Sequence, residues 1–321
     1  MAVNPEYFFQ IARQQIGENN MDFLPVNRPS HNLVFHSSPL KKDNNSSYFL
    51  KIHLEESTGL SELPYRRATR EVIATQAVQT RLGISPAITR FLGNDVFGSS
   101  AILFSEVPGV PFDSLINSPN KLPQEISKDI ARQSGIYLRQ IHNITSTNFG
   151  NIAPEDPKID KWSDYFTQEV NRHLRVALLR RLINKSQADW FVDRLSSPLV
   201  QKLNSSPVLC HGDYTPQNIM VDPNTNIITG IIDFELARHL VPGWDLAKTG
   251  AWYLSQFNHP DLMASFLDGY VSSGQSSLTD TIEELEFYKP YEQLFFWVWG
   301  WERPSLKKIV KEDIYKMFSK I

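Results

Sequence analysis

One β-prone segment in the second half of the chain constrains the fold more than any other feature. Apolar residues around it mostly follow helical spacing, but residues 207–233 do not. Within that segment, apolar runs at residues 218–221 and 227–232 flank a polar turn at residues 222–226, which predicts a β-hairpin. A hairpin set among helices brings polar residues to strand ends and loops, where reactive groups can face a cleft.

The first hundred residues follow a different pattern. They contain β-prone runs at residues 32–36, 48–53 and 101–104, and a helix is predicted over residues 64–82, with Gly83 as its stop. The Pro- and Gly-containing segment at residues 107–111 then breaks the chain. We therefore predict an α+β fold of two lobes, with a small antiparallel sheet in residues 1–107 and a mainly α-helical lobe in residues 108–321.

Helices in the second lobe are predicted from apolar periodicity. One begins near Pro123, and the others are expected around residues 161–182, 186–203, 244–256, 260–270, 280–288 and 291–301. Pro290 is expected to end or kink the helix at 280–288, because an interior proline removes a helical hydrogen bond.

Composition and charge argue against nucleic-acid binding, disulfide or zinc-cysteine scaffolds, and membrane insertion. Lys and Arg number 32 against 35 Asp and Glu, so charge gives no reason to expect a nucleic-acid or anionic membrane partner. The single cysteine, Cys210, excludes an intrachain disulfide and a Cys-based zinc cluster, and it suits a reducing cytoplasm. The N-terminus resembles no signal peptide, and the most apolar stretch, residues 294–299, is too short to span a bilayer. We expect a cytoplasmic protein, and the sequence carries no signal for its oligomeric state.

The polar residues of the β-prone segment suit phosphoryl transfer. That reaction needs a carboxylate that orients the acceptor and takes its proton, metal ligands, and a cation on the phosphates. Asp213 followed by Asn218 has the spacing of a kinase catalytic Asp and its metal-binding Asn. The hairpin then delivers Asp233, a hard oxygen ligand suited to Mg²⁺.

These motifs resemble a known family. The pattern His211-x-Asp213-x₄-Asn218, then Ile-Asp-Phe-Glu at 232–235 and Trp-Asp-Leu-Ala at 244–247, is similar to the aminoglycoside phosphotransferase/choline kinase superfamily. These are small-molecule kinases with a protein-kinase-like fold. The resemblance implies ATP and Mg²⁺ as cofactors, Asp213 as catalytic base, and Asn218 and Asp233 as metal ligands. It also implies that His211 braces the catalytic loop and that Asp245 holds this loop from the following helix.

The same resemblance assigns contacts to ATP in the first lobe. Lys51 lies in a predicted strand where the family places the lysine of the α- and β-phosphates, and Glu71 would be its ion-pair partner, with Glu62 as a competitor. Ser30 and Asn32 would belong to the loop over the phosphates. Backbone groups of Ser105 and Val107 would contact the edge of the adenine. Glu235 could bind a second metal or a cationic acceptor, and a salt bridge to Arg238 is an equal alternative.

Three departures from protein kinases favour a small hydroxyl compound over a protein as acceptor. Gly17 is the only glycine before Lys51, so no Gly-rich loop precedes that lysine. Glu235 occupies the position that glycine takes in the kinase metal motif, and the Ala-Pro-Glu at residues 153–155 precedes the catalytic loop. The predicted function is ATP- and Mg²⁺-dependent phosphorylation of an antibiotic such as an aminoglycoside, an amino alcohol or a sugar-like metabolite.

Several alternatives remain open. A catalytically silent nucleotide-binding protein, a choline- or ethanolamine-type kinase and a protein Ser/Thr kinase are the rival functions. A Cys210–His211 nucleophile is disfavoured, because Cys210 ends an apolar strand, where a buried thiol acts as a small hydrophobic residue. A metal-hydrolase cluster is disfavoured, because it leaves Lys51 and the first lobe unexplained. The aromatic residues at 291–301 favour a helix core over a cation–π cage. The acidic cluster Glu283, Glu284 and Glu286 favours a solvated helix face over the wall of an acceptor pocket.

Overall fold

The computed structural model describes most of the chain. The described residues are 5–17, 21–26, 32–38, 47–54, 63–94, 99–118, 121–154, 156–197, 200, 206–256, 258–274 and 277–319. They form an antiparallel sheet with flanking helices at the N-terminal side and a larger, mainly helical part after it. The predicted α+β class is therefore confirmed.

The first part is built on a five-stranded sheet in the order β1-β2-β3-β5-β4, with every neighbouring pair antiparallel. Its strands are β1 (Asp22–Pro25), β2 (Leu33–Ser38), β3 (Tyr48–His53), β4 (Ile88–Asn94) and β5 (Ser100–Ser105). The helices of this part are α1 (Pro5–Ile16) and α2 (Pro64–Leu82). The three predicted strands and helix α2 are confirmed, whereas α1 and β4 were not predicted.

Helix α2 begins and ends where its sequence dictates. Pro64 occupies the first helical position, where the missing N–H costs nothing. Gly83 ends the helix in the left-handed conformation, and its N–H donates to the carbonyl of Gln79. Because side chains alternate along a strand, Lys51 and His53 of β3 share one face, and Leu50 and Ile52 share the other. All four side chains are buried, so both faces of β3 are covered.

The second part contains helices joined by two small sheets. Its helices are α3 (Phe112–Ile116), α4 (Gln124–His142), α5 (Trp162–Leu179), α6 (Lys185–Leu195), α7 (Gly243–Gly250), α8 (Pro260–Ser272), α9 (Leu278–Gly300) and α10 (Lys307–Phe318). One sheet has the order β10-β9-β6, with β6 (Val110–Pro111), β9 (Ile219–Asp222) and β10 (Ile227–Ile231). The other has the order β7-β11-β8, with β7 (Gly150–Asn151), β8 (Val208–Cys210) and β11 (Arg238–Leu240).

The predicted hairpin is confirmed, and it orients the polar residues around it. Strands β9 and β10 pair antiparallel with Ile227 opposite Asp222, so the turn lies where the sequence predicts it. The 3₁₀ turn Pro216–Asn218 leads into β9, and Asp233 follows β10. The two ends of the hairpin therefore lie side by side, one carrying Asn218 and the other Asp233.

The predicted division of the last long helix at Pro290 is wrong. Residues on both sides of Pro290 belong to one helix, α9. Phe287 and Tyr288 before the proline, and Tyr291 and Leu294 after it, are buried in the same core. Burying these large side chains offsets the roughly 3 kcal/mol that an interior proline costs a helix.

Other helix boundaries differ less. Helix α5 ends at Leu179 rather than 182, helix α6 at Leu195 rather than 203, and α7 passes into a π-helical turn, Ala251–Gln256. Asn184 begins α6 with a capping box, in which its side chain accepts from the Gln187 N–H and Gln187 returns a bond to the Asn184 N–H. No helix in the described part of the chain has an apolar stretch long enough to cross a membrane.

Candidate active site

The loop after strand β8 requires a glycine at its second position. Gly212 has a φ of +83°, in the left-handed region that glycine favours. A Cβ atom there would lie 2.4 Å from the carbonyl oxygen of Leu236, closer than real contacts allow. Gly212 therefore lets the loop approach the backbone after the hairpin.

His211 braces this loop against the hairpin. Its Nε2 lies 3.0 Å from the Ile232 carbonyl oxygen, and the Asp213 N–H donates to its Nδ1 at 3.3 Å. These two bonds define a neutral ring that carries its proton on Nε2. Burial lowers the pKa of His211, which agrees with the neutral form. The bracing contact expected of this residue is present.

Asp245 holds the same loop from helix α7. Its two carboxylate oxygens accept the N–H groups of His211 and Gly212, each at 2.7 Å. His142 Nε2 contacts the same carboxylate at 3.2 Å. The carboxylate is fully buried, so these donors supply the hydrogen bonds that a buried charge needs. The loop is therefore fixed from one side by His211 and from the other by Asp245.

Asn218 contacts Asp213 through its side chain and the residue before Asp233 through its backbone. Its side-chain Nδ2 donates to the backbone oxygen of Asp213 at 2.9 Å and to Asp213 Oδ2 at 3.2 Å. The Ile232 N–H donates to the Asn218 carbonyl at 3.0 Å, so Asp233 follows directly. Asp233 has a φ of +71°, a left-handed conformation that costs energy in a non-glycine residue.

The oxygens of Asn218 and Asp233 fit a magnesium ion. Because Asn218 uses its NH₂ group on Asp213, the amide oxygen of the same side chain points away from that carboxylate. Asp233 supplies a carboxylate that is about 38% exposed. Amide and carboxylate oxygens are the hard ligands that Mg²⁺ prefers. The donor set therefore suits the metal that the sequence predicts.

Lys51 is buried at the centre of an acidic cluster. Its Nζ is 2.9 Å from Glu71 Oε2, 2.6 Å from Asp233 Oδ1 and 3.1 Å from Glu235 Oε2. Burial alone would lower the pKa of Lys51, but the Asp233, Glu235 and Glu71 carboxylates raise it well above its ordinary value. The predicted pair of Lys51 and Glu71 is therefore present, and Glu62 lies outside the described residues.

The acidic partners of Lys51 respond to burial and to its charge. Burial raises the pKa of Asp233 above its ordinary value, although Lys51 opposes this shift. For Glu235, burial acts in the same sense but is outweighed by the charge of Lys51, supported by that of Arg67, so its pKa is lowered.

Glu235 ties two segments of the first lobe, strand β3 and the residue before β2, to the hairpin. It contacts Lys51, accepts from Asn32 Nδ2 at 2.5 Å and lies 3.5 Å from His53 Nδ1. Arg238, its alternative partner, lies 3.6 Å from Glu169. Asn32, predicted to lie over the phosphates, is thereby held at the acidic cluster.

The other residues predicted to contact the nucleotide are Ser30, Ser105 and Val107. Ser30 lies outside the described residues. The Ser105 N–H donates to the Ala87 carbonyl at 2.9 Å, so that donor is engaged in β-type pairing. Val107 follows β5, and its side chain faces the backbone at Gly230. Contacts of Ser105 and Val107 with adenine stay a prediction.

Three residues of this region were not predicted. His53 lies 3.0 Å from Glu71 Oε2, and Lys248 lies between Asp213 and Glu292. His53 follows Lys51 by two residues on one strand face, and Lys248 follows Asp245 by three on one helix. Both spacings are signals in the sequence. Glu292 comes from helix α9, and nothing local marks it.

The structure also gives the burial of three features for which the sequence allowed two interpretations: Cys210, the aromatic run at 291–301 and the acidic cluster at 283–286. Cys210 is fully buried and burial raises the pKa of its thiol, so it lacks the character of a nucleophile. Tyr291 and Trp297 of the aromatic run are buried in the core, whereas Trp299 is 43% exposed. Glu283 and Glu286 are exposed, whereas burial raises the pKa of Glu284 to about 7.

Comparison with known proteins assigns these residues to a family. A family model described as "Phosphotransferase enzyme family" matches residues 26–288, most of the chain. The chain belongs to this phosphotransferase family. The resemblance to the aminoglycoside phosphotransferase/choline kinase superfamily is thereby confirmed.

Individual members of the family are distant in sequence. An aminoglycoside 3'-phosphotransferase of Streptomyces ribosidificus is 27% identical over 146 residues, 44% of this chain and 53% of that protein, so the match spans about half of that relative. An aminoglycoside phosphotransferase from Streptomyces rimosus, solved with ADP and streptomycin, superposes with a TM-score of 0.56 at 18% identity, covering 91% of this chain and 99% of that one. A Plasmodium vivax ethanolamine kinase superposes with a TM-score of 0.60 at 16% identity, covering 92% of this chain and 83% of that one. These similarities confirm the two-lobed, kinase-like fold of this phosphotransferase family member.

Proposed function

We propose that this protein transfers the γ-phosphoryl group of ATP to a hydroxyl group of a small molecule. One observation supports this most strongly: Asp213, Asn218, Asp233 and Lys51 form a continuous series of contacts. Asn218 contacts Asp213 at 3.2 Å, the backbone bond from Ile232 sets Asn218 beside Asp233, and Asp233 contacts Lys51 at 2.6 Å. The series joins the base, the metal ligands and the phosphate cation that such a transfer needs.

Asp213 would orient the acceptor hydroxyl and take its proton. Its side chain is about 34% exposed, so an acceptor can reach it, while Asn218 and the His211 brace restrict its position. In this proposal, catalysis comes mainly from holding the hydroxyl in line with the phosphorus atom.

Lys51 would bind the α- and β-phosphates, and the oxygens of Asn218 and Asp233 would hold Mg²⁺. When bound, the ion neutralises phosphate charge. Glu71 and His53 would keep Lys51 in place from the buried side of the sheet. Backbone groups of Ser105 and Val107 would contact adenine, and the loop of Ser30 and Asn32 would cover the phosphates. The boundary between the lobes would then lie at residues 107–108.

The acceptor is proposed to be a small hydroxyl compound, with aminoglycosides as the first class to test. This follows from the similarity to aminoglycoside phosphotransferases, one of them solved with streptomycin. An amino alcohol such as ethanolamine is the second candidate, because the fold is equally similar to an ethanolamine kinase.

The test is mass spectrometry of a pooled acceptor panel incubated with the protein and Mg-ATP. The panel contains aminoglycosides, amino alcohols, sugars, nucleosides and macrolides, and the readout is a product that gains one phosphoryl group. Reactions with EDTA and with Lys51→Met serve as controls, and both should lose the product. Nucleotide binding without any product would favour a silent nucleotide-binding protein, and phosphorylation of added protein substrates alone would favour a protein kinase. Absence of nucleotide binding would contradict the proposal.

A further inference from the structure

The catalytic carboxylate has a cationic neighbour on helix α7. Lys248 Nζ lies 3.4 Å from Asp213 Oδ1 and 3.1 Å from Glu292 Oε1. Lys248 follows Asp245, the residue that fixes the catalytic loop, by three positions, so both point from the same side of α7 to the same loop. One short helix therefore contacts both the backbone and the side chain of this loop.

The two oxygens of Asp213 are held from different elements. Asn218, in the 3₁₀ turn before β9, donates to Oδ2 at 3.2 Å, while Lys248 contacts Oδ1. A carboxylate turns readily about its Cβ–Cγ bond, since that torsion has only broad preferences. Two contacts from opposite sides define the plane of the carboxylate, which one contact alone does not.

Lys248 is itself held by a buried acid. The Glu292 side chain is only about 9% exposed, and it reaches Lys248 from helix α9. Burial would lower the pKa of Lys248, but Glu292 and Asp213 raise it, so the ammonium group stays charged over the whole physiological range. The lysine is thus fixed by a partner that takes no part in the proposed reaction.

We propose that Lys248, anchored by Glu292, is a positioning residue that orients the carboxylate of Asp213 towards the acceptor hydroxyl. This proposal rests on the proposed function. The alternative is purely structural, in which Lys248 only neutralises the buried charge of Glu292. Removing one member of a buried pair is costly whichever role is correct, so a single substitution does not separate the two.

A double substitution separates them. Lys248→Met combined with Glu292→Gln removes both charges, so no buried charge is left without a partner. A structural role predicts that this variant recovers wild-type kcat. A positioning role predicts that kcat stays about 10- to 100-fold below wild type, with the nucleotide Kd unchanged, because small misplacements of reacting groups cost up to about this much. Lys248→Arg, which restores a cation, should recover most of the lost kcat.

The matched control is an exposed ion pair on helix α10. Lys308 and Glu312 lie 3.9 Å apart, and Lys308 is 88% exposed. Lys308→Met with Glu312→Gln should leave both kcat and nucleotide affinity unchanged. Full recovery of kcat in the Lys248→Met/Glu292→Gln protein would overturn the positioning role. So would a nucleotide Kd that rises as much as kcat falls.

A second measurement needs no phosphoryl transfer. Urea unfolding of Lys248→Met, Asp213→Asn and the protein with both changes tests whether their effects add. Non-additive effects support the contact of Lys248 with Asp213, and additive effects overturn it. If wild type binds nucleotide but phosphorylates no acceptor, the proposed function fails, and the positioning role fails with it. This holds even if the unfolding measurements show that Lys248 contacts Asp213.

Discussion

Lys51 is the side chain on which the charge balance of the site depends most. It is the cation nearest to Glu71, Asp233 and Glu235, all within 3.1 Å of its ammonium group. His53 is a further contact of Glu71, but burial lowers its pKa, so it is neutral near pH 7. Removing the lysine therefore leaves three carboxylates close together in a largely buried place.

We predict that Lys51→Met lowers the free energy of unfolding by about 3 kcal/mol, the cost of leaving the buried Glu71 and the partly exposed Asp233 and Glu235 without their shared cation. Millimolar Mg²⁺ should recover part of this loss, because the ion can bind the freed oxygens of Asp233. Urea denaturation with and without MgCl₂ measures both effects. Lys308→Met, at an exposed lysine, is the control. A Lys51→Met protein as stable as wild type would show that the cluster is not charged as described.

Glu284 makes the free energy of unfolding depend on pH. This effect can be measured without reference to the candidate active site. Burial raises its pKa to about 7, against an ordinary value of 4.5. Between these values the folded protein binds more protons than the unfolded chain, so this contribution to stability falls as pH rises through the interval. The stability that depends on a protonated Glu284 is fully present below about pH 4 and is lost above about pH 8.

Glu284→Gln should therefore stabilise the protein at pH 8 by about 1–2 kcal/mol, with allowance for the partial exposure of this side chain. The difference from wild type should vanish near pH 4, where Glu284 is protonated. Urea denaturation across this pH range is the measurement, and Glu286→Gln, at an exposed residue of the same helix, is the control. A stabilisation that is equal at pH 4 and pH 8 would exclude this titration as the cause.

Residues that act with near neighbours in sequence could be predicted, and those with distant partners could not. Asp213 and Asn218 carry a readable spacing, and Lys51 lies in a recognisable strand. Glu292 reaches Lys248 only because helix α9 packs beside α7, a tertiary contact without a local pattern. The role of Glu235 was likewise left open, since Asn32 and Lys51 approach it from another lobe.

Among the helices, α4 and α8 make an unusually close crossing. A Cβ atom on Gly135 of α4 would lie 2.0 Å from the carbonyl oxygen of Phe266, and one on Gly269 of α8 would lie 2.0 Å from that of Arg132. Each glycine thus lets the backbone of the other helix approach. The crossing supports the loop that carries Asp213, because Tyr214 donates to the Ser134 carbonyl on α4 at 2.7 Å.

Gly135→Ala and Gly269→Ala should each destabilise the protein by about 2–4 kcal/mol, because neither backbone can move without separating the helices. Thermal or urea unfolding measures the loss. Gly250→Ala is the matched control on α7, since its Cβ would meet the flexible side chain of Leu285 at 3.1 Å. Equal stability of all three variants would mean that α4 and α8 adjust without cost.

Element predictions succeeded where local signals and packing agree. Helix α2 has a proline at its start and a glycine at its end, and the hairpin has a polar turn between apolar runs. At Pro290 the local signal and the packing disagree, and the buried aromatic residues of α9 prevail. Such an outcome depends on which surfaces the helix meets, and the sequence of the helix does not contain that information.

In the whole molecule, the two lobes meet through the acidic cluster. Lys51 and Asn32 come from the sheet, and Asp233 and Glu235 come from the hairpin region of the helical part. The order of these segments along the chain allowed the two-lobed fold to be predicted. The contacts themselves could not be predicted, because they depend on how the sheet and the helical part approach each other.

A nucleotide bound at this meeting point should stabilise the folded protein. Mg-ATP at 100 times its Kd should add about 2.7 kcal/mol to the free energy of unfolding by mass action. Asp233→Asn should remove the dependence of this gain on Mg²⁺, because it replaces the proposed charged ligand of the metal. Thermal shifts with ATP, with and without Mg²⁺, test this. An unchanged Mg²⁺ dependence in Asp233→Asn would place the metal elsewhere.

The central claim is that Asp213 is the base of a phosphotransferase. It is tested by measuring product formation from Mg-ATP and an identified acceptor with wild type, Asp213→Asn and Asp129→Asn, where Asp129 lies on the exposed face of α4. We predict that Asp129→Asn matches wild type, whereas Asp213→Asn binds ATP with unchanged affinity and forms product at least about 10³-fold more slowly. An Asp213→Asn protein that retains wild-type turnover would contradict the account.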